Sequence, residues 1–264
     1  MHIVRVVAVA ASLSPTLACV SAEDAPRDAG TTPFHVFRVG STNIAAIPDD
    51  EGGGTFIDTG EYGAADALEP RLLAQDLSFA DFHRVVMTHT HHDHAGDVHG
   101  FRARGVAAWV HIDDEGMMNE GQNREAEVIG LEAALLASII DPSYPGSDAD
   151  IAFSEDFTLH DGALEVRHVG GHTAGSVVAI LDGAVAFVGD LVRGGLLGGA
   201  IAPNQPMVHY FHEDRVGAHA ALRALYDDEN IVEYWPSHSG RLTREDIGTF
   251  LESLGEEDTE STTE

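Results

Sequence analysis

A layered α/β fold is what the sequence predicts, and three observations carry that expectation. Short apolar stretches at 34–39, 55–57, 84–87, 107–110, 164–169, 177–181 and 184–188 read as strands. Helical periodicity occupies 64–75, 124–139, 213–225 and 243–254, spread among those strands. Several of the strand-like runs end in a Gly-containing loop that carries histidine or aspartate, and in layered α/β folds the loops at one end of the strands gather the chemistry. The 264 residues suffice for one sizeable core, the apolar fraction is ordinary for a soluble protein, and no internal repeat is evident.

Taken in order, residues 1–18 carry one positive charge (Arg5) and an apolar stretch interrupted by Ser12, Ser14 and Pro15, too short for a comfortable membrane span. This reads as a signal peptide. Thr16-Leu17-Ala18-Cys19 resembles a bacterial lipoprotein signal, with Thr16 where Leu is usual, and would leave a lipidated Cys19 attached to a membrane. Val20-Ser21-Ala22 offers an alternative cleavage after 22 that would release a soluble protein. The solitary cysteine at the end of the leader favours lipidation. An exported bacterial protein is expected either way, periplasmic, membrane-anchored or secreted, and without a disulfide. Residues 19–33, polar with Pro, Gly and Asp, read as a flexible linker, 34–255 as the folded domain, and 256–264 as a disordered acidic tail. Pro70 is a potential break in the 64–75 helix. Thr243 with Asp246 three residues on resembles a capping box opening the last helix. An insertion around 125–150, with Pro142, Tyr144 and Pro145, is a candidate lid.

The formal net charge is −30, and every basic side chain other than histidine is Arg. A solvated, self-repelling surface is the simplest reading. Nucleic acid is excluded as a partner, because phosphate binding needs a cationic track. A thiol mechanism is excluded for the domain, since Cys19 lies in the leader.

The most informative segment is Thr88-His89-Thr90-His91-His92-Asp93-His94, directly after the run at 85–87. Imidazole and carboxylate are ligands that zinc accepts, and four of them on one short connection can converge on a point. Downstream come Gly170-Gly171-His172-Thr173 after one strand, Gly189-Asp190 after another, and Ser237-His238-Ser239-Gly240 after a third; upstream, Asp58-Thr59-Gly60 follows the 55–57 run.

This set, in this order from about residue 34 to 250, resembles the metallo-β-lactamase superfamily. The resemblance implies an αββα sandwich of two mixed β-sheets flanked by helices. It also implies a binuclear centre of two Zn²⁺, with iron or manganese as alternatives. His89, His91 and His172 would hold the first metal; Asp93, His94 and His238 would hold the second; Asp190 would bridge. Asp58 would orient the ligands from behind by hydrogen bonding. His92 is expected to point away from the metals, and His83, His99 and His111 to be ordinary surface or partly buried residues. His209 and His212 follow a Gly-rich loop and either line the pocket or serve the structure. Two cations about 3.5–4 Å apart can share a water and bring its pKa near 7, with Asp93 carrying its proton to the leaving group.

The expected activity is therefore a metal-dependent hydrolase of the glyoxalase II- or lactonase-like branch. Its expected partner is an ester-, lactone- or thioester-like small molecule. Asp190 at the bridging position disfavours β-lactamase activity, while a phosphodiesterase stays open. The long basic C-terminal extension of the glutathione thioesterases is missing, and Leu191-Val192-Arg193 stands where the quorum-quenching lactonases place a Tyr. Arg193 would pair with a substrate anion or else lie on the surface. Two rivals of other classes are a mono-iron persulfide dioxygenase and a non-catalytic zinc-binding lipoprotein.

Overall fold

The computed structural model describes residues 27–28, 32–49 and 53–260. The first sheet runs β1 (Arg27–Asp28), β2 (Pro33–Val39), β3 (Thr42–Ile47), β4 (Gly54–Ile57), β5 (Phe82–Val86) and β6 (Ala107–His111) side by side. β7 (Glu127–Val128) stands apart, and β8 (Ile151–Phe153) closes this sheet beyond β6. β9 (Phe157–Leu159), β10 (Leu164–His168), β11 (Val177–Leu181) and β12 (Val185–Gly189) begin the second sheet. β13 (Arg193–Leu196) and β14 (Ile201–Met207) form a separate hairpin, and β15 (Phe211–His212) pairs with β7. β16 (Glu233–Pro236) and β17 (Leu242–Thr243) then extend the second sheet beyond β12. Both sheets are mixed: β4, β5, β6 and β8 are parallel neighbours, as are β12 and β16, and the remaining pairs are antiparallel.

Why the strands read as apolar runs follows from what lies on each face. Val36, Ala45, Ile47, Ile57 and Val86 pack with Val166, Ala179, Leu181 and Phe187 of the second sheet to form the layer between the sheets. Their chain neighbours Phe37, Ile44, Ala46, Phe56 and Val85 point the other way, onto α1 (Ala64–Leu73), α2 (Val98–Ala103) and α3 (Ile112–Glu120). Likewise Val178, Ile180, Ala186 and Val188 meet α5 (Arg215–Asp227) and α6 (Arg244–Glu260). Successive side chains of a strand alternate between faces, so a strand covered on both sides must be apolar throughout. The result is the αββα sandwich.

Several elements differ from expectation; α2, α3, β8, β9 and the β13–β14 hairpin stand outside the expected ranges, and three further departures have a clear cause or place. The helix expected over 124–139 is confined to α4 (Gly130–Ala137). Gly130 has φ 83°, a left-handed conformation that stops the helix propagating backwards, and the preceding residues are instead drawn into the β7–β15 ribbon, where Ile129 N–H donates to Tyr210 O at 2.9 Å. Pro70 does not break α1, which runs on to Leu73; the carbonyl it deprives belongs to the exposed Asp66, where water can serve. β3, absent from the expected strands, fills a central place between β2 and β4. Thr243 and Asp246 do cap α6 reciprocally: Thr243 N–H donates to Asp246 Oδ2 at 2.7 Å and Asp246 N–H to Thr243 Oγ1 at 3.2 Å.

The ends of the insertion are pinned together. Gln122 and Ser143 form an isolated bridge, and Tyr144 N–H donates to Gly121 O at 2.8 Å. Residues 27–28, within the expected linker, pair with β2, and α6 carries helical backbone to Glu260 inside the expected tail. The expected leader 1–18, Cys19 and the cleavage alternative after 22 lie outside the described residues, as do 261–264. Among the described residues no helix is long and apolar enough to cross a membrane.

Candidate metal centre

All the predicted ligands leave the C-terminal ends of strands on one side of the sandwich. Asp58 follows β4, residues 88–94 follow β5, His172 follows β10, Asp190 follows β12 and His238 follows β16. Two glycines of the motifs have steric reasons. Gly189 (φ 55°) lies so close to Thr88 that an added Cβ would sit 3.0 Å from the threonine's own. Gly171 (φ 88°) passes the first turn of α5 so closely that a Cβ there would meet Ala218 N at 2.3 Å. Only glycine lets these turns deliver Asp190 and His172.

Two sets of donor atoms result. His89 Nε2, His91 Nδ1 and His172 Nε2 face one another, each pair 3.1 Å apart. In the second set, His238 Nε2 is 3.3 Å from Asp93 Oδ2, and His94 Nε2 is 3.8 Å from Asp93 Oδ1. Asp190 Oδ2 stands between the sets, at 3.7, 3.6, 3.3 and 3.4 Å from the Nε2 atoms of His89, His172, His94 and His238. His89, His94 and His172 are fully buried or nearly so.

These residues fit a metal. A tetrahedral ion with ~2.05 Å bonds to nitrogen would space its ligand atoms about 3.3 Å apart, close to what both sets show. Three neutral imidazole nitrogens cannot all satisfy one another as hydrogen-bond partners, because each ring has one N–H. The buried atoms His94 Nε2 and Asp190 Oδ1 have no hydrogen-bond partner. The outward nitrogens of His94 and His238, by contrast, are engaged, His94 Nδ1 with Asp58 Oδ2 at 2.9 Å and His238 Nδ1 with Ser41 O at 3.1 Å. An acceptor on the outer nitrogen places the proton there and leaves a lone pair facing the site.

Electrostatics agree. Burial, reinforced by neighbouring imidazoles, holds His89 well below the ordinary histidine range, and burial does the same to His172. Burial takes His91 to about 3. His238 is pushed down by burial but up further by Asp190 and Asp93, to about 10. Burial would raise Asp93 and Asp190, yet the surrounding histidines hold both well below the usual carboxylate range. Ionised aspartates and neutral imidazoles are the forms that bind cations, so Asp93, Asp190, His89, His91 and His172 stand ready; His94, lowered by burial but raised further by Asp190, Asp58 and Asp93, and His238 would each release a proton as an ion binds.

Asp58 lies behind the ligands. Its carboxylate accepts from Thr88 N–H at 2.6 Å, Thr88 Oγ1 at 2.8 Å, His94 at 2.9 Å and Ser237 Oγ at 3.2 Å. His92 turns aside to Asn123 at 3.2 Å, on the rim of the pocket. His83 and His99 are exposed, whereas His111 is buried and stacked on His168 at 3.8 Å.

Three further residues settle differently from one another. His209 belongs in the site: its Nε2 is 3.2 Å from Asp190 Oδ2 and its ring stacks on His238. The local signal was only its place after a Gly-rich loop, and the β7–β15 ribbon is what swings it inward. His212 does not line the pocket; it is buried behind His172, Nδ1 to Nδ1 at 3.4 Å. Arg193 is neither at the surface nor free for a substrate anion. It is buried, its Nε donates to Val208 O at 3.0 Å, another nitrogen bonds Gly195 O, Glu132 lies 3.4 Å away, and the guanidinium covers the Tyr210 ring at 3.8 Å.

Comparison with known proteins accords with this architecture. The sequence profile of the metallo-beta-lactamase superfamily matches residues 38–225. The crystal structure of the BLEG-1 B3 metallo-beta-lactamase has a TM-score of 0.60 at 20% identity, covering 83% of this chain and 99% of that one. A metallo-beta-lactamase family protein of Thermus thermophilus gives 0.57 at 18% identity, covering 84% and 79%. A metallo-beta-lactamase from Pontibacter korlensis gives 0.57 at 19% identity, covering 88% and 98%. No curated protein matches. At these identities the structures speak for the fold alone, while the profile spans most of the chain and with it the loops bearing His89, His172 and Asp190. This chain belongs to the metallo-beta-lactamase superfamily.

Proposed function

We propose that the protein is a binuclear zinc-dependent hydrolase acting on an ester-, lactone- or thioester-like small molecule. The observation that carries this reading is the position of Asp190 Oδ2, within 3.3–3.7 Å of nitrogens from both donor sets. His89, His91 and His172 would hold one ion, Asp93, His94 and His238 the other, and Asp190 both. Bound there, the two ions supply Lewis acidity and a water acidified toward pKa 7.

The chain's own residues do the rest. Asp93 lines the open cavity while its oxygens face His238 and His94. It is placed to hold the proton that water loses and to hand it to the departing oxygen or sulfur. The water oxygen ends on the acyl carbon, the bond from that carbon to the leaving atom breaks, and the leaving group takes the proton. His209, on the cavity wall beside Asp190, is placed to hydrogen-bond the substrate. Asp58 fixes the His94 ring.

Metal content per chain, measured on protein purified without added metal or chelator, tests the reading. About two zinc ions per chain are expected. A single iron per chain would overturn it in favour of oxygen chemistry, with persulfides as the first substrates to try.

A further inference from the structure

The cavity over the metal centre has a volume of about 330 Å³, at the small end of ligand pockets. Its floor is His91, Asp93, Asp190 and His238; its walls away from that floor come largely from the insertion, notably Val128, Leu136, Ile140 and Pro142, with Phe211 paired across from Val128. At the ~30 Å³ a water occupies in the liquid, the space takes about eleven non-hydrogen atoms.

The charged groups on these walls are already committed. Two guanidinium groups reach the cavity, Arg124 and Arg193, and the chain contains no lysine. Arg124 donates to Glu213 Oε1 at 2.7 Å, to Asp113 O at 2.8 Å and to the buried Asp114. Arg193 is held by two backbone carbonyls, Glu132 and the Tyr210 ring. Neither can leave its partners to meet a ligand without stranding a buried polar group. A substrate carboxylate remote from the metals would therefore lie against the apolar Leu136 and the half-exposed Ile140 with no cation to pair it, and shielding such a charge from water there is costly. The protein's net charge of −30 adds long-range repulsion.

From this we infer that the part of the substrate beyond the reacting carbonyl is uncharged and apolar, an alkyl or acyl chain of about six carbons held against Leu136 and Ile140. The inference rests on the hydrolase reading and narrows it. Substrates whose remote end is anionic, such as glutathione thioesters, are turned away by the same walls.

Two measurements test it on the zinc-loaded full chain. The first compares methyl hexanoate with monomethyl adipate, which places a carboxylate at the far end of a six-carbon acyl chain. The expected result is a kcat/KM at least tenfold higher for the hexanoyl ester, and a loss of at least tenfold for that ester in Leu136→Asp. The second follows binding of 1-octanol by calorimetry, where a negative heat-capacity change marks apolar burial, and where Leu136→Asp should weaken binding at least tenfold. Ester turnover with equal or greater preference for the adipate ester, or turnover without octanol binding, overturns the inference and leaves the hydrolase reading standing. Octanol binding that Leu136→Asp weakens, without hydrolysis of either ester, supports the apolar site and overturns the hydrolase reading. Neither turnover nor octanol binding overturns both.

Discussion

Replacing Asp58 by Asn changes one atom and should damage the second metal position selectively. Asn tolerates the left-handed backbone at this residue (φ 64°), so the perturbation is confined to the side chain. Four donors converge on the native carboxylate: the Thr88 N–H and hydroxyl, the Ser237 hydroxyl and His94 Nδ1–H. An amide offers one oxygen and one NH₂ group. If the NH₂ takes the Oδ1 position, it opposes the Thr88 N–H at 2.6 Å, donor against donor. In the Oδ2 position it faces His94 Nδ1, and His94 must move its proton to Nε2. That nitrogen then has no lone pair for a cation beside Asp93 and Asp190, which lie 3.8 and 3.3 Å from it.

Either outcome removes a charge-assisted hydrogen bond of about 1.5–3 kcal/mol. Disrupting the partner of a ligating histidine lowers metal affinity about 10–100-fold, or about 1.4–2.7 kcal/mol, so the two routes to a magnitude agree. Competition against a chromophoric chelator reads both zinc affinities. The expected result is a weakened second affinity with the first nearly unchanged, because none of the hydrogen bonds to Asp58 comes from His91 or His172. Two native affinities in Asp58→Asn would refute the reasoning.

Three other outcomes are expected. Asp93→Asn should reduce turnover of any substrate found by about 100-fold or more, and near-native rates would end its assignment as proton carrier. Gly171→Ala, forced against Ala218 in a left-handed turn, should lose about 2–4 kcal/mol in denaturant unfolding; an unchanged midpoint would show that the α5 contact can yield. His160, which contacts Thr55 Oγ1 at 2.9 Å, is held below the ordinary histidine range chiefly by burial. Below pH ~6.5 the unfolded chain binds a proton that folded His160 resists, so its contribution to stability is present above that pH and lost as pH falls toward the folded value. His160→Asn, suited to the positive φ there, should flatten the acid arm of the stability–pH curve by up to one proton, and superimposable slopes would contradict this.

The ligand loops were legible because their signals are local. Each donor lies a few residues beyond an apolar strand, and the order of motifs carries the topology with it. β3 was less visible: in Thr42-Asn43-Ile44-Ala45-Ala46-Ile47 the β-branched residues are interrupted by Asn and two Ala with no period-2 alternation, and its stability comes from neighbours on both sides. The ribbon between β7 and β15 joins residues more than eighty positions apart, and no local period announces it. The ribbon decides His209 between its two expected roles and, with the left-handed Gly130, shortens α4. Arg193 illustrates a second limit, since a lone arginine in a sequence does not reveal the carbonyls that will occupy it.

The pinned ends of the 122–143 insertion have a consequence for how this protein can change. A segment whose two ends already touch adds little closure entropy when its length varies, and its ties to the structure beneath are concentrated at Asn123, Arg124 and Glu132, which hold His92, Asp114 and Arg193. Val128, Leu136 and Ile140 thus form an exchangeable cassette above a fixed reaction centre. Substrate range can drift, or be redesigned, by exchanging these apolar side chains while Asn123, Arg124 and Glu132 stay to hold the loops that carry the metal-facing residues.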